Sequence, residues 1–147
     1  SFAAGSPWTL QRLSRCGLPV LSSPRDTGIG LHIAAAMDAA GVDLPEQYGI
    51  DNKAVVLSLV ERGFGWCLTF PLGLLGHRMD WSRFCIKLVN EPGTTRHIVG
   101  LAMRSNPSSA LKLIAENCRR LLVPKVGQIE RIWPELRGRI RIHPGSD

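Results

Sequence analysis

No stretch of this chain approaches the roughly 20 consecutive apolar residues of a membrane-spanning helix, so no bilayer span is expected. The opening residues, SFAAGSPWTLQRL, lack the basic region and apolar core of an export signal. Cysteine is sparse and scattered. Cys16, Cys67, Cys85 and Cys118 form no C-x-x-C pair and have no histidine at ligand spacing, which argues against a zinc site, a redox pair or a cysteine nucleophile. Cys67 and Cys85 fall in apolar, strand-like runs and Cys118 on the apolar stripe of a helix, so these three are expected as buried free thiols in a reducing compartment. Catalytic pairs are missing too. His77, His97 and His143 have no serine or cysteine at motif spacing, His32 beside Ile33 reads as a packed histidine, and no two carboxylates stand in an acid/base setting. Asp26-Thr27-Gly28-Ile29-Gly30 lacks the third glycine and the lysine of nucleotide-binding loops. No enzyme activity, no metal and no cofactor is expected.

What is present suffices for an ordinary α/β domain. The chain has 147 residues, of which 44% are hydrophobic, enough to form a core rather than a disordered tail. Its net charge of +6 invites a nucleic-acid reading, but the placement of that charge points elsewhere. Arg119, Arg120, Lys125, Arg131, Arg137, Arg139 and Arg141 gather near the end with few aromatics between them, which favours a solvated tail or a partner contact.

Apolar periodicity orders the elements. Residues 1–13 read as loop, with Trp8 and Leu10 as candidates for burial. Residues 18–21 read as a short strand, and Ser23-Pro24-Arg25-Asp26 has the form of a capping box for a helix that carries Leu31, Ile33, Ala34, Met37 and Ala40 and stops at Gly41. Residues 47–50 form a second short strand. The stretch IDNKAVVLSLVERGFGWCLTFP (50–71) then gives a helix with Asp51 as N-cap, an apolar stripe of Val55, Val56, Leu59 and Val60, a stop at Gly63, and a strand over 66–70. LGLLGHRMDW reads as a short helix or an irregular loop. Strands are expected at 84–88 and 97–102, with a turn at Glu91-Pro92-Gly93 between them. Asn106-Pro107 opens the clearest amphipathic helix, carrying Leu111, Ile114, Cys118, Leu121 and Leu122 and ended by Pro124. Residues 129–136 could add a turn or two, broken near Pro134, and the remainder reads as a basic tail. Strand and helix alternate, so the class is α/β with a mixed, mostly parallel sheet flanked by helices.

Two helix starts, at 23–27 and 51–53, should face the rim that carries Phe70 and Pro71. Their unpaired amides favour anions, and Ser22, Ser23, Thr27 and Asn52 could add side-chain donors. The competing reading is that Ser23 and Asp51 only cap their own helices.

The stretch 50–71 resembles the effector-binding region of LysR-type transcriptional regulators. In that family a polar pair precedes a helix that ends at a glycine, followed by a glycine-apolar strand and a terminal proline. Leu59-Val60-Glu61-Arg62-Gly63-Phe64-Gly65-Trp66 followed by Phe70-Pro71 matches this pattern. The unit strand–SSPRDTG–helix, ending in Ala39-Ala40-Gly41-Val42, looks like the start of the family's second regulatory subdomain. Residues 96–104 with the 107–122 helix resemble the strand and helix that return to the first. The likeness spans about residues 8–122. It departs from the family in lacking the N-terminal winged helix-turn-helix and the first half of the first subdomain, and in extending past the usual end.

The resemblance implies a periplasmic-binding-protein-like fold of type 2 with an incomplete second subdomain. Residues 1–13 would be a linker, 14–93 regulatory subdomain II, 94–124 the returning strand and helix of subdomain I, and 125–147 a basic C-terminal tail. It further implies a small-molecule effector held in an inter-subdomain cleft, with Ser22, Ser23, Thr27, Asn52, Phe70 and Pro71 as the cleft-facing residues of this half. A homo-oligomer, dimer or tetramer, would contact DNA only through the N-terminal domain, in the cytoplasm and without membrane contact. Helix ends and serines suit an anionic effector, while Phe70 and Trp66 leave room for an aromatic one. The same fold also serves as a lobe of transporter solute-binding proteins, which is the alternative. A strand at 97–102 without sheet neighbours would present an open edge, so self-association is expected.

Overall fold

Five helices and a two-stranded parallel sheet make up the described part of the chain in this computed structural model, which describes residues 8–43, 47–89, 91–99 and 109–143. Two compact units divide it: Ser1–Thr69 with His77–Arg96, and Phe70–Gly76 with His97–Asp147.

The first unit begins with helix α1 (Leu10–Ser14), where a loop is expected from the sequence. Thr9 nucleates it: its extended backbone lets the hydroxyl accept from the Arg12 amide at 3.1 Å. Leu10 is fully buried, and its amide, unpaired at the helix start, donates to Glu91 Oε2 at 2.9 Å. Strand β1 (Val20–Ser22) is buried along its whole length and pairs in parallel with β2 (Gln47–Gly49). Helix α2 (Gly28–Ala39) crosses between them and puts Ile33, Ala36 and Met37 into a core shared with Leu10 and Val42. Gly41, at φ 62°, ends the helix as expected.

Helix α3 (Lys53–Glu61) follows β2 and stops at Gly63, φ 79°. The strand expected at 66–70 is reduced to one parallel bridge, Val20 to Trp66, with the Leu21 amide donating to the Trp66 carbonyl at 2.8 Å and the Trp66 amide to that of Pro19 at 3.1 Å. Gly65 makes this approach possible, because a Cβ there would fall on the Pro19 carbonyl oxygen and within 3.0 Å of Leu21 Cγ. The sheet is therefore narrower than expected. Residues 84–88 keep the alternating exposure of a strand, with Phe84, Ile86 and Leu88 half-buried and Cys85 and Lys87 exposed, but they are irregular. Alternation alone provides no hydrogen-bonding neighbour, and at this point the chain makes only the bridge from Trp8 to Val89 among the described residues. The turn at Glu91-Pro92-Gly93 is present, closed by the Thr94 amide on the Glu91 carbonyl at 3.2 Å with Gly93 at φ 79°.

A 3-10 turn at Trp81–Arg83 is capped by Asp80, whose carboxylate accepts from the Ser82 hydroxyl at 2.6 Å and from its amide at 3.2 Å. Those two bonds hold the Asp80 carboxyl below the usual carboxylate range. The cap is thus intact above the ordinary carboxylate pKa and is lost as pH falls through the depressed folded value. Arg83 reaches Glu61 at the end of α3 at 2.6 Å, an ion pair with an exposed arginine.

In the second unit, α4 (Pro71–Leu74) is a single turn that starts on its proline, and α5 (Ser109–Ile132) is the longest helix. Pro124 does not end α5, contrary to the sequence expectation; the helix passes through it. The downstream half is anchored by Ile129, and beyond it Trp133 and Leu136 are buried too, the latter in a 3-10 turn at Pro134–Leu136. Residues 129–136, expected to add a helical turn or two within a region read as a basic tail, supply Ile129, Trp133 and Leu136 to this unit's core. Residues 97–99 are irregular rather than a strand, with Ile98 and Val99 exposed, and 100–102 lie outside the described residues, as does the Asn106-Pro107 cap.

Candidate functional site

The rim of the first unit is built by the parallel pair. The Ile50 amide donates to the Ser22 carbonyl at 2.9 Å, so the chain leaving β2 runs beside the end of β1. Helices α2 and α3 both start from these carboxyl ends, which is the arrangement that places helix N-termini at one edge of an α/β sheet.

The caps differ from those expected. Thr27, not Ser23, caps α2: its backbone is extended, and its hydroxyl accepts from the Gly30 amide at 3.0 Å while donating to the Pro24 carbonyl at 2.7 Å. Pro24 sets a tight turn, closed by the Thr27 amide on the Pro24 carbonyl at 3.0 Å, so the residues read as a capping box lie one turn before the helix. Asn52, not Asp51, caps α3, its Oδ1 accepting from the amides of Ala54 at 2.9 Å and Val55 at 3.3 Å. The spacing of Thr27 to Gly30 and of Asn52 to Val55 carried this signal in the sequence. Ser23 has an acidic residue three positions on and Thr27 only a glycine, which makes Ser23 the stronger cap by sequence, whereas Asp51 and Asn52 are adjacent and equally able to cap.

Of the six expected cleft residues, the structure brings Ser22, Ser23, Thr27 and Asn52 into one unit. Ser22 is buried and its hydroxyl donates to the Ser23 carbonyl at 3.2 Å; Ser23 is half-buried; Asn52 is exposed. Phe70 and Pro71 belong to the other unit, where Phe70 holds the N-cap position of α4 without a side-chain cap bond and Pro71 is the first helical residue. Neither α2 nor α3 has an acidic residue in its first turn, but Asp26 and Asp51 directly precede the two caps and place negative charge at both helix starts. The Ser22 and Thr27 hydroxyls already donate to backbone carbonyls, so the donors left at the rim are the first-turn amides that the caps do not take.

Cys67 is half-buried and close enough to Lys53, the first residue of α3, to feel its charge. Burial pushes its thiol up, and the charge of Lys53 pulls weakly the other way. Cys85 and Cys118 are exposed, not buried as the sequence suggests. An apolar run or stripe places a side chain on a face but does not provide the second layer that covers it. Iodoacetamide at neutral pH should therefore alkylate Cys85 and Cys118 about tenfold or more faster than Cys67, since the thiolate is the nucleophile. Mass mapping checks this, and equal rates at Cys67 and Cys118 would contradict the assigned burial. Among the described residues no three His, Cys, Asp or Glu side chains stand close enough to hold a metal ion, and no helix is long and apolar enough to cross a membrane.

No protein-family model matches this chain, and no curated protein or solved structure matches it significantly.

Proposed function

We propose that this chain is an effector-sensing part of a LysR-type transcriptional regulator, with the α2/α3 rim forming one wall of a ligand cleft on a periplasmic-binding-protein-like fold. The observation that carries the reading is the pair of helix N-termini, capped by Thr27 and Asn52, rising from the ends of two parallel strands. The pattern of 50–71 supports it: a polar pair, a helix closed at Gly63, and Gly65 seated against Pro19. The effector in this reading is a small anion, most simply a carboxylate. The intact protein is a cytoplasmic homo-oligomer, not an enzyme, and contacts DNA through a helix-turn-helix domain.

Asn52 separates function from stability. Asn52→Asp keeps the cap oxygen, so thermal stability should stay within about 0.5 kcal/mol of wild type. The added negative charge faces any anion at the α3 end, so effector-dependent DNA binding in the intact regulator should fall about tenfold or more. Asn52→Ala instead costs about 1 kcal/mol through the lost cap. Unchanged effector response in Asn52→Asp would remove the rim from the proposed site.

A further inference from the structure

The basic residues that close the chain are not a free tail: their described part folds back along α5. The Gly138 amide donates to Glu130 Oε1 at 2.9 Å, and Arg119 Nε donates to the His143 carbonyl at 3.0 Å. Residues 138–143 therefore run antiparallel to α5, from its last turn toward its middle. Exposure alternates along this ribbon: Arg139, Arg141 and His143 are exposed, while Ile140 and Ile142 are half-buried. The isoleucines seat the ribbon and the arginines are presented. On α5, Arg120 and Arg131 are about three turns apart and share a side, roughly a quarter turn from the line of Arg119 and Glu130 that the ribbon follows. Arg137 is exposed at the bend. Folding thus gathers Arg120, Arg131, Arg137, Arg139 and Arg141 on one flank of the second unit. Among the described residues none of the five forms an ion pair with a carboxylate; Arg120 bonds only to Asn117 Oδ1, at 2.8 Å. Residues 109–143 hold eight Lys and Arg against three Glu, which is +5 of the chain's +6. Of those acids Glu130 is bound to the Gly138 amide, Glu116 lies one turn before Arg120, and Glu135 is in the 3-10 turn.

We infer that this arginine strip binds the phosphate backbone of double-stranded DNA without reading its sequence. From 119 to 141 there are six arginines and one lysine, and the guanidinium fork is the group that pairs with phosphate oxygens two bonds at a time. The helix row and the ribbon row are tied to each other by backbone hydrogen bonds, so they meet a regular run of phosphates without the ordering cost of a mobile tail. A single strand would call for exposed aromatic rings on which bases stack, but Trp133, the one Phe, Tyr or Trp between 109 and 143, is 6% exposed. A protein partner would call for an apolar anchor at the centre. Between Arg119 and Arg131 the large apolar residue exposed on this side is Val123 alone. The choice of DNA over an RNA duplex rests on the regulator reading above. The strip itself lies in the second unit, whereas Thr27 and Asn52 of the ligand rim belong to the first.

The test is fluorescence anisotropy of the full 147-residue chain with labelled DNA duplexes of roughly 20 base pairs in two unrelated sequences. Both duplexes should bind alike, and about a hundredfold more weakly at about 200 mM than at about 50 mM salt, through release of counterions from the contacted phosphates. Arg139→Gln with Arg141→Gln should weaken binding about tenfold and lower the salt slope by about 2. Arg15→Gln with Arg62→Gln, exposed in the first unit and equal in charge change, should stay within about twofold of wild type. Ile140→Ser with Ile142→Ser keeps every charge but unseats the ribbon, and should weaken binding about fivefold with the helical far-UV signal retained. Equal losses in the two arginine pairs would reduce the effect to net charge and overturn the proposal. Wild-type affinity in the isoleucine pair would make the arginines a tail rather than a surface, and overturns it too. So does no binding at about 50 mM salt, or tighter binding of a duplex RNA of the same length or of polyglutamate, which would assign the strip to RNA or to an acidic protein. None of these results alters the effector response of Asn52→Asp, so the strip and the ligand rim stand or fall separately.

Discussion

Gly30→Ala is expected to destabilise the first unit by about 3 kcal/mol, a large part of the stability of an ordinary domain. Gly30 sits in the first turn of α2 with a normal helical backbone, so the cost is steric rather than conformational. A Cβ at this position would fall on the Pro24 carbonyl oxygen, 2.7 Å from its carbonyl carbon and 2.9 Å from the Ser23 carbonyl oxygen. These are backbone atoms of a tight turn and cannot rotate away. Relief would require α2 to lift off the turn, breaking the Thr27 cap on the Gly30 amide and loosening Ile33, Ala36 and Met37. Gly28, two residues earlier, has nothing within 4 Å of a built Cβ. Gly28→Ala should therefore be neutral or stabilising by about 0.5 kcal/mol, through reduced freedom of the unfolded chain. Urea titration of the two variants separates the effects. If both melt like wild type, α2 does not rest on the Ser23-Pro24 turn.

The contrast between these glycines shows what the sequence could reveal and what it could not. Gly41 and Gly63 were readable as helix stops because a left-handed residue after an apolar stripe is a local requirement, and both have positive φ. Gly30 and Gly65 are needed for close approach to residues 6 and 46 positions away, Pro24 and Pro19, and nothing local marks that need. Strands failed for a similar reason. Residues 84–88 have the alternation of a strand, but a ladder depends on a neighbour elsewhere in the chain, and among the described residues the sheet consists of β1, β2 and the bridge from Val20 to Trp66. The rim was legible in outline, since both helix starts follow short strands. Its caps were misplaced by four residues at Thr27 and by one at Asn52, because several polar residues in succession could each supply the oxygen.

Ile129→Ala should cost the second unit about 2–5 kcal/mol and remove helical ellipticity contributed by residues beyond Pro124. Proline inside a helix removes one amide donor, here the one that would reach the Arg120 carbonyl, and crowds the preceding turn. Local propensity therefore favours ending α5 at residue 123, as the sequence alone suggests. What carries it onward is burial: Ile129 is fully buried, Trp133 and Leu136 are nearly so, and Leu74 on α4 is buried in the same unit. The Trp133 amide also donates to the Ile129 carbonyl at 2.8 Å, continuing the helical hydrogen bonds to the last turn. Truncating Ile129 weakens the term that opposes the proline. Pro124→Ala should act in the opposite direction, stabilising the helix by about 2 kcal/mol, since position 124 is exposed and alanine restores the missing donor. Combining the two substitutions should recover most of the ellipticity lost in Ile129→Ala, because the helix would then continue on propensity where it had continued on burial. Circular dichroism of the three variants decides the matter. If Pro124→Ala lowers the melting temperature, the ring itself is part of the packing and the balance described here has the wrong sign.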